Sequence, residues 1–497
     1  MRLSEITAFL GVQAQGDLNK MITGIQYDSR KIKPGNIFVC IKGLKSDGHD
    51  YIPQAVENGA AALLVEHPVS TDVSSITQVV VSDTRRALAL LSSYWYGFPS
   101  RKLRMIGVTG TNGKTTTTHL IKGLLERKRQ KVGLIGTIHN LAGDEELPST
   151  HTTPESLELT ELLERMVAMQ SQTAVMEVSS HALKQNRVAG CEFDVGVFTN
   201  LTQDHLDYHP NWEDYLKSKL KLFSALGQGE KGGAKYAVIN ADDPASDEFI
   251  KAAKVPVWTY GTSEKAMIRA SDVSITSHGT TFLLSTPEEK AMITVPLTGM
   301  FNVSNVLAAI SVALGEGLTI PEITAFLAQA PQVAGRFEQV REGQPFSVIV
   351  DYAHTPDGLE NILATARKIT SKRLITVFGC GGDRDRSKRP IMGRIAGRYS
   401  SYSFVTSDNP RTEDPEKITD QIEKGISLVT QDYRVVLDRR RAIYEAISLG
   451  LPGDTIVIAG KGHETYQLVK GEVLHFDDRE VVREALKAAG YSQEDKK

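Results

Sequence analysis

The chain has 497 residues, and a usual size of ~100–200 residues per domain predicts about three domains. Its formal net charge is −3 with basic and acidic residues well mixed, so no overall positive field would attract a nucleic acid or an anionic membrane. The three cysteines lie far apart and no apolar run approaches the ~20 residues that span a bilayer, so we expect a soluble protein of the reducing cytoplasm.

Short apolar runs alternate with helical patterns along the chain, which is typical of an α/β fold. The predicted strands cover residues 105–109, 174–178, 195–199, 236–239, 348–351, 374–378 and 455–459. Two loop-like segments, 96–102 and 329–335, suggest domains at 1–99, 100–332 and 333–497. Ligands of open α/β sheets bind outside the carboxyl ends of the strands. We therefore expect functional residues in the loops that follow these strands.

The segment 105–118, MIGVTGTNGKTTTT, is a candidate phosphate loop between a predicted strand and a predicted helix. Backbone N–H groups of such a turn bind phosphate oxygens, Lys114 would neutralise the outer phosphates, and the Thr115 hydroxyl would reach Mg²⁺. Val108 stands where the general motif has its first glycine, and Gly110 follows it. The pattern favours a nucleotide site over a turn without function. No Asn-Lys-x-Asp segment follows in the sequence, which argues against a GTPase switch.

Acidic and histidine residues follow the next two predicted strands. Glu177 ends the run AVME, and an acid at a strand end in a phosphate-loop protein commonly holds Mg²⁺. Without the phosphate loop it would be read as an exposed carboxylate. The segment 200–209, NLTQDHLDYH, has the density of acids and histidines of a metal or acid–base site, although its composition fits a polar loop equally well.

Six segments in order along the chain together resemble the Mur ligase family. They are GTNGKTTTT, HTTP at 151–154, MEVSSHAL, NLTQDHLDYH, GRFE at 335–338 and DYAHTPD at 351–357. Members of this family are ATP-dependent enzymes that add amino acids to the bacterial cell-wall precursor. ATP activates a carboxylate as an acyl phosphate, an amine attacks, and the tetrahedral intermediate collapses to amide and phosphate. The resemblance implies an N-terminal α/β UDP-binding domain, a central P-loop ATPase domain with a mostly parallel sheet, and a C-terminal Rossmann-like domain that binds the amino acid.

The resemblance also implies the residues that hold ATP and Mg²⁺. The nucleotide residues would be Gly110, Thr111, Asn112, Gly113, Lys114, Thr115, Thr116, Asn302, Arg336 and Asp351. The metal ligands would be Thr115, Glu177, His205 and Lys219, and the catalytic residues Lys114, Lys219, His205 and Arg336. Asn302 is expected at the adenine, Arg336 at the γ-phosphate and Asp351 at the ribose. Lys219 matches a family lysine that is carbamylated by CO₂, whereas the local sequence alone reads as an ordinary solvated helix face with lysines at 217, 219 and 221.

Two further sets of residues follow from the same resemblance, to the family member that extends UDP-N-acetylmuramoyl-L-alanyl-D-glutamate. The residues expected to bind this acceptor are Ser29, Thr152, Thr153, Ser179, Gln185 and Arg187. A loop at 43–48 matches another segment that contacts UDP. The residues expected to bind the incoming amino acid are Arg384, Asp408, Asn409, Pro410, Arg411, Gly460 and Glu464.

The segment 406–415, TSDNPRTEDP, has two parts. Asp414 and Pro415 predict a helix start, followed by an apolar face at Ile418, Ile422 and Ile426. The preceding DNPR resembles the motif of enzymes that add meso-2,6-diaminopimelate, in which Arg411 would pair with the distal carboxylate that lysine lacks.

Alternative functions are the same ligase with L-lysine as its amine and, in another class, a P-loop NTPase switch without condensation chemistry. A polyglutamate-adding relative is also compatible with the phosphate loop, but the EVSSH and DNPR segments disfavour it. The expected ligands are ATP, Mg²⁺ and small-molecule substrates, with no nucleic acid and no membrane, and we expect a monomer.

Overall fold

A computed structural model describes residues 1–43, 46–69, 76–204 and 208–491. Three sheets with helices on their faces occupy successive parts of the chain, so the predicted three-part α/β architecture is confirmed. The domain limits after residues 99 and 332 stay predictions. Within the described ranges, no helix combines the length and apolar character needed to cross a membrane.

The N-terminal sheet has the order β1-β5-β4-β3-β2, with β1 antiparallel to β5 and the other pairs parallel. Its elements are α1 Leu3–Leu10, β1 Ala14–Gln15, β2 Gly24–Gln26, a 3₁₀ turn Ser29–Lys31, β3 Asn36–Val39, a 3₁₀ turn Gly48–Tyr51, α2 Ile52–Glu57, β4 Ala62–Val65, β5 Thr77–Val80 and α3 Thr84–Trp95. Helix α4, Pro99–Lys102, leads into the next part of the chain.

The central sheet has eleven described strands in the order β16-β15-β14-β13-β12-β11-β6-β10-β7-β8-β9. Its elements are β6 Arg104–Thr109, α5 Lys114–Glu126, β7 Val132–Ile135, β8 His139–Ala142, β9 Glu145–Pro148, α6 Ser156–Ala168, β10 Thr173–Glu177, α7 Ser180–Lys184, β11 Val195–Phe198, α8 Trp212–Ala225, β12 Tyr236–Asn240, α9 Ser246–Ala252, β13 Val257–Gly261, β14 Ile268–Thr276, β15 Gly279–Ser285, β16 Lys290–Val295, α10 Met300–Gly315 and α11 Ile320–Leu327. The strands from β14 to β7 pair in parallel, and antiparallel strands extend both edges.

The C-terminal sheet has the order β17-β18-β22-β19-β20-β21 and is parallel except for β17. Its elements are β17 Glu338–Val340, β18 Ser347–Asp351, α12 Pro356–Ile369, β19 Leu374–Phe378, α13 Lys388–Tyr399, β20 Tyr402–Val405, α14 Pro415–Ile426, β21 Tyr433–Val435, α15 Arg439–Ser448, β22 Thr455–Ala459, β23 Tyr466–Val469, β24 Glu472–His475 and α16 Asp478–Ala488. Strands β23 and β24 form a separate hairpin.

All seven predicted strands are present, to within a residue at either end. Strands β10, β19 and β22 are buried along their whole length, because helices cover both faces of a parallel sheet. Such strands read as continuous apolar runs, which is why the sequence locates them well. Two apolar clusters fill the two faces of the central sheet, and two more fill the faces of the C-terminal sheet.

The predicted start of helix α14 is confirmed, because the Asp414 carboxylate accepts a hydrogen bond from Glu416 N at 3.1 Å and Pro415 is the first helical residue. We expect Asp414→Ala to lower the free energy of unfolding by about 1 kcal/mol through loss of this cap. Chemical denaturation measures the change, with exposed Lys417→Ala as a control on the same helix. The preference for one amine over another should be the same in Asp414→Ala as in the wild type. A changed preference would contradict the interpretation that residues after Arg411 only start the helix.

Candidate active site

The phosphate loop connects β6 to α5 and requires glycine at two positions. Gly110 has a φ of +154°, and a Cβ added there would lie 1.8 Å from Thr199 Oγ1. Gly113 has a φ of +85°, and a Cβ there would lie 2.3 Å from Asn305 Oδ1. Only glycine combines such backbone angles with so close an approach of neighbouring groups. The loop is thus held against the segment after β11 and against helix α10.

The lysine of this loop is folded back over it. Lys114 Nζ donates to the carbonyl oxygens of Gly110 at 2.9 Å and of Thr111 at 2.8 Å. Burial lowers the pKa of Lys114, while Glu177 acts in the opposite direction. A polyanion bound to the loop would stabilise the charged form of this lysine.

We expect Gly110→Ala to weaken binding of a non-hydrolysable ATP analogue at least about tenfold, because the loop must move to admit the methyl group. Isothermal titration calorimetry measures the affinity. Gly232→Ala is the matched control, because a Cβ at Gly232 has no described atom within 4 Å. Equal affinities of the two variants would show that the loop tolerates the change.

Glu177 and Thr115 form the polar floor beside the loop. Glu177 is 1% exposed, and its Oε2 accepts from Thr115 Oγ1 and from Thr137 Oγ1, each at 3.1 Å. Arg336, from the start of the C-terminal part, donates to Thr115 Oγ1 at 3.0 Å. Oxygen donors of this kind suit Mg²⁺, so Thr115 and Glu177 fit the metal role expected of them. His205, the third predicted ligand, lies outside the described residues.

Lys219 is buried, in contrast to the solvated helix face that its local sequence indicates. It is 1% exposed, and its Nζ donates to Gly110 O at 2.8 Å, whereas the Lys217 side chain is 71% exposed. The pKa of Lys219 is well below its usual value, mainly because the side chain is buried and also because the positive charge of Lys114 is close by. The prediction of a solvated face is therefore wrong for Lys219, because this residue lies on the face of α8 that carries the buried Tyr215, Leu222 and Phe223.

A cavity of about 200 Å³ lies between the phosphate loop, the start of α10 and the loop after β18. The residues lining it include Asn112, Gly113, Thr115, Thr116, Phe301, Ser304, Asn305, Arg336, Asp351, Tyr352 and Asp357. Asn302 is buried beside this wall, where its amide donates to Thr298 O at 2.9 Å. The adenine contact expected of Asn302 stays a prediction.

Asp351 and Arg336 meet at the edge of this cavity. The Asp351 carboxylate accepts from Phe337 N at 2.6 Å and from Ala353 N at 2.7 Å. Burial raises the pKa of Asp351 to about 6, although Arg336 acts to lower it. The Arg336 guanidinium lies over the Tyr352 ring, 4.6 Å from its centroid.

Asp357 is a residue of the same cavity that the sequence reasoning missed. Its Oδ2 accepts from Asn112 Nδ2 at 2.6 Å and from Thr202 Oγ1 at 3.2 Å, so it ties the C-terminal part to the phosphate loop. Asp357 is the last residue of the segment DYAHTPD, but nothing in that segment indicates a hydrogen bond to Asn112 or Thr202.

A second cavity, of about 430 Å³, lies between the N-terminal part and the central domain. Ser29 lines it and donates to Gln54 Oε1 at 2.6 Å, and Arg85 and Glu155 form its other side. Of the nearby loop at 43–48, residues 44 and 45 lie outside the described residues, and Ser46 and Gly48 line the cavity.

The other predicted acceptor residues form one network beside this second cavity. Arg187 donates to Thr153 O at 2.8 Å and to Gln185 Oε1 at 2.8 Å, and it pairs with Glu155 at 2.8 Å. Ser179 N donates to Thr153 Oγ1 at 3.0 Å. Thr152 Oγ1 lies 3.1 Å from Thr137 Oγ1, which itself bonds to Glu177, so the network reaches the polar floor of the phosphate loop.

A third cavity, of about 210 Å³, lies at the carboxyl ends of the C-terminal strands. Its lining includes Asp204, Tyr352, His354, Arg384, Lys388, Asp408, Asn409, Arg411, Gly460 and Glu464. The structure thus brings together the residues that were predicted to bind the incoming amino acid. The exception is Pro410, which does not line the cavity but is buried in the same loop, between Asn409 and Arg411.

The third cavity is lined by charges of both signs. Burial and next the neighbouring Arg384 lower the pKa of Arg411, so an anion between the two guanidinium groups would be stabilised. Asp408 and Glu464 share the buried Lys461, whose Nζ is 3.6 Å from Asp408 Oδ1 and 3.2 Å from Glu464 Oε2. Asp408 Oδ1 has no hydrogen-bond partner among the described residues.

The Arg411 backbone is held in an uncommon conformation by the β23–β24 hairpin. Its φ is +54°, in the left-handed region. Arg411 N donates to Leu468 O at 2.9 Å, and Lys470 N donates to Arg411 O at 2.7 Å. The side chain also donates to Gly382 O at 2.8 Å. These bonds offset the strain and direct the guanidinium into the cavity.

A phosphate loop in a mostly parallel sheet, with cavities formed by the parts on either side, defines a three-part P-loop protein. Three family models match the chain: the Mur ligase family, catalytic domain, at residues 21–96; the Mur ligase middle domain at 108–313; and the Mur ligase, glutamate ligase domain, at 335–462. The chain belongs to the Mur ligase family, and it is a ligase.

The relatives found by comparison extend over nearly the whole chain. The UDP-N-acetylmuramoyl-L-alanyl-D-glutamate--2,6-diaminopimelate ligase of Syntrophomonas wolfei is 50% identical over 98% of this chain and 99% of its own. The ligase of the same name from Geobacillus kaustophilus is 48% identical over 95% and 96%. A solved structure with that ligase name has 34% identity and a TM-score of 0.69, and covers 99% of this chain and 100% of its own. The MurF ligase from Thermotoga maritima in complex with ADP, at 18% identity and a TM-score of 0.63, shares the fold over 94% of this chain and 97% of its own.

Proposed function

We propose that this ligase joins meso-2,6-diaminopimelate to the D-glutamate of UDP-N-acetylmuramoyl-L-alanyl-D-glutamate, with ATP converted to ADP and phosphate, in synthesis of the peptidoglycan precursor. The names of its full-length relatives support the two substrates. The observation that carries the proposal is the third cavity, which is lined by the guanidinium groups of Arg384 and Arg411 and by the carboxylates of Asp408 and Glu464. An amino acid with a second carboxylate and a second ammonium group complements both kinds of charge.

The proposed reaction has two chemical steps. A carboxylate oxygen of the acceptor takes the γ-phosphoryl group of ATP, and ADP leaves. The amine nitrogen then attacks the acyl carbon, the C–N bond forms, the C–O bond to phosphate breaks, and the nitrogen loses a proton. Because several anions meet in the first step, catalysis rests on positioning and on neutralisation of charge.

The residues at the phosphate loop supply much of that neutralisation. Lys114 would contact the outer phosphates once ATP displaces its present carbonyl partners, and Arg336 approaches from the C-terminal part through its bond to Thr115 Oγ1. Thr115 and Glu177 would hold Mg²⁺, together with His205. When bound, Mg²⁺ supplies positive charge that stabilises the phosphoryl oxygens. The cavity lined by Asn305 and Asp351 would hold the nucleoside, because it opens directly onto the loop.

The acceptor would lie across the second cavity and its neighbouring network. Ser29 belongs to the wall that would receive the uridine nucleotide. Thr152, Thr153, Ser179, Gln185 and Arg187 lead from there towards Glu177, so the muramoyl dipeptide would follow the same path to the phosphate loop.

ADP release tests the proposal directly. With ATP, Mg²⁺ and the UDP-muramoyl dipeptide present, we expect meso-diaminopimelate to stimulate ADP release and L-lysine not to do so. Stimulation by lysine alone would favour the lysine-adding alternative. ADP release that is independent of the muramoyl substrate would favour a P-loop switch and would overturn the proposal. Mass spectrometry of the product identifies the new amide.

We further propose that the enzyme acts as a monomer in the cytoplasm, where its three unpaired cysteines would stay reduced. Light scattering of the purified protein, with and without ATP, measures its mass in solution. A dimeric mass would contradict the proposed state without affecting the proposed reaction.

A further inference from the structure

Arg439 lies directly behind the third cavity, at the point where two of its loops leave the sheet. The side chain is fully buried, and it pairs with the equally buried Asp478 at 2.7 Å. A second hydrogen bond, from Arg439 Nε to Asp478 Oδ1 at 2.8 Å, makes the pairing bidentate. The pair therefore fixes the guanidinium plane relative to the starts of α15 and α16.

The remaining donors of the guanidinium join the two loops to each other. Arg439 donates to Ala459 O at 3.0 Å and to Ser407 O at 3.4 Å. Ser407 immediately precedes Asp408, and Ala459 immediately precedes Gly460. One rigid group thus sets the distance between the strand-end loop that carries Asp408 and the strand-end loop that carries Gly460.

These two loops approach each other closely in front of Arg439. A Cβ added to Gly460 would lie 2.9 Å from Asp408 Oδ2 and 3.7 Å from an Arg439 guanidinium nitrogen. The Asp408 carboxylate and the guanidinium therefore leave little space for a side chain at position 460. Asp408 is 5% exposed and lines the cavity.

The position of Arg439 on its helix does not favour a cation. It is the first residue of α15, where the helix dipole favours anions and disfavours cations. A fully buried ion pair also gains little over apolar packing, because both charges lose their hydration. A cost of this kind is consistent with selection for geometry rather than for stability.

We propose that Arg439, oriented by Asp478, is a positioning residue for the amine site: it holds the Asp408 and Gly460 loops at the spacing that binds the second ammonium and carboxylate of the incoming amino acid. This inference rests on the proposed function. Arg439 itself does not touch the substrate, so its replacement should alter binding of the amine and leave the acceptor and nucleotide sites intact.

The test is Arg439→Lys, which keeps the charge and removes the planar set of donors. We expect KM for meso-diaminopimelate to rise by about tenfold or more, since small displacements of binding groups have large effects. KM for ATP and for the UDP-muramoyl dipeptide should stay within about twofold of wild type, because those sites do not contact Arg439. Steady-state ADP release with each substrate varied in turn gives the three constants.

Arg373→Lys is the matched control on the same sheet. Arg373 precedes β19 and pairs at 2.6 Å with Asp454, which precedes the neighbouring parallel strand β22, so it joins the amino-terminal ends of the two strands, away from the third cavity. It also donates to a carbonyl, Leu449 O at 2.7 Å. Its replacement should lower thermal stability without a selective change in KM for the amine.

The outcomes are distinguishable. Equal KM values for the amine in Arg439→Lys and Arg373→Lys, or a joint rise of all three KM values, would overturn the role of Arg439. If Arg439→Lys does not fold, Asp478→Asn decides alone: a selective rise in KM for the amine supports the proposal, and a joint rise of the three constants contradicts it. Failure of the wild-type enzyme to use diaminopimelate would instead overturn the proposed function.

Discussion

Replacement of Lys219 by alanine is expected to lower kcat by about 10³-fold, the loss typical of removing one preorganised electrostatic group from an active site. The structure supports the family expectation of a carbamate here, because CO₂ reacts with a neutral amine. Burial and the nearby Lys114 lower the pKa of Lys219 well below its usual value, so its uncharged form is more accessible than that of an exposed lysine. The ammonium first loses one proton, and the neutral amine then forms an N–C bond to CO₂ and releases a second proton, so a cation becomes an anion that could take part in binding Mg²⁺.

Two measurements check this expectation. The ADP-release assay gives the loss in Lys219→Ala, and added formate or acetate should restore part of the activity by supplying a carboxylate in the space left behind. A ¹³C NMR signal from a carbamate should appear in the wild type with labelled bicarbonate and be missing from the variant. Lys217→Ala is the matched control on the same helix, since that side chain is 71% exposed. Activity of Lys219→Ala near that of the control would refute the role.

Replacement of Arg411 by alanine is expected to remove most of the discrimination between meso-diaminopimelate and L-lysine. A site built to bind a polar group of its substrate can reject an analogue that lacks this group by a factor of about 10⁴–10⁵ in kcat/KM, because the binding residue is then left unpaired. Arg411 supplies such a group, since burial and Arg384 already lower its pKa and make a bound carboxylate favourable. The ratio of kcat/KM for the two amino acids measures the effect.

Lys470→Ala is the control for Arg411→Ala. Lys470 has a φ of +49°, close to the +54° of Arg411, so both variants lose a cation from a residue in the left-handed region. Lys470 is exposed on the hairpin turn and does not line the third cavity. Retention of a strong preference for diaminopimelate in Arg411→Ala would assign selectivity to other residues, with Arg384 as the next to test.

The sequence predicts the strands of the fold well, and it predicts individual side-chain environments less well. Strands β19 and β22 are continuous apolar runs whose limits coincide with the burial of both sheet faces. The helix start at Asp414 is equally local, because the cap and the proline are adjacent in the chain. In these cases the residues that determine the element lie within a few positions of one another in the sequence.

Lys219 and Arg439 show where local patterns are insufficient. Lys217 and Lys221 share one face of α8, whereas Lys219 lies on the opposite face with the buried Tyr215, Leu222 and Phe223, so helical periodicity already separates it from the other two. Its contact with the carbonyl of Gly110, more than a hundred residues away, has no signal in the local sequence. Arg439 likewise depends on Asp478, which lies 39 residues further along the chain. The roles of the site residues themselves stay predictions, including that of His205, which lies outside the described residues.

The backbone pairing between Arg411 and the β23–β24 hairpin has a consequence for protein engineering. The main chain at Arg411 is bonded on both sides by Leu468 and Lys470, so its left-handed conformation belongs jointly to the two segments. Exchange of amino-acid preference between relatives should therefore require transplanting residues 408–411 together with 466–475 as one cassette. A graft of the first segment alone would carry the right side chains on a main chain that no longer presents them.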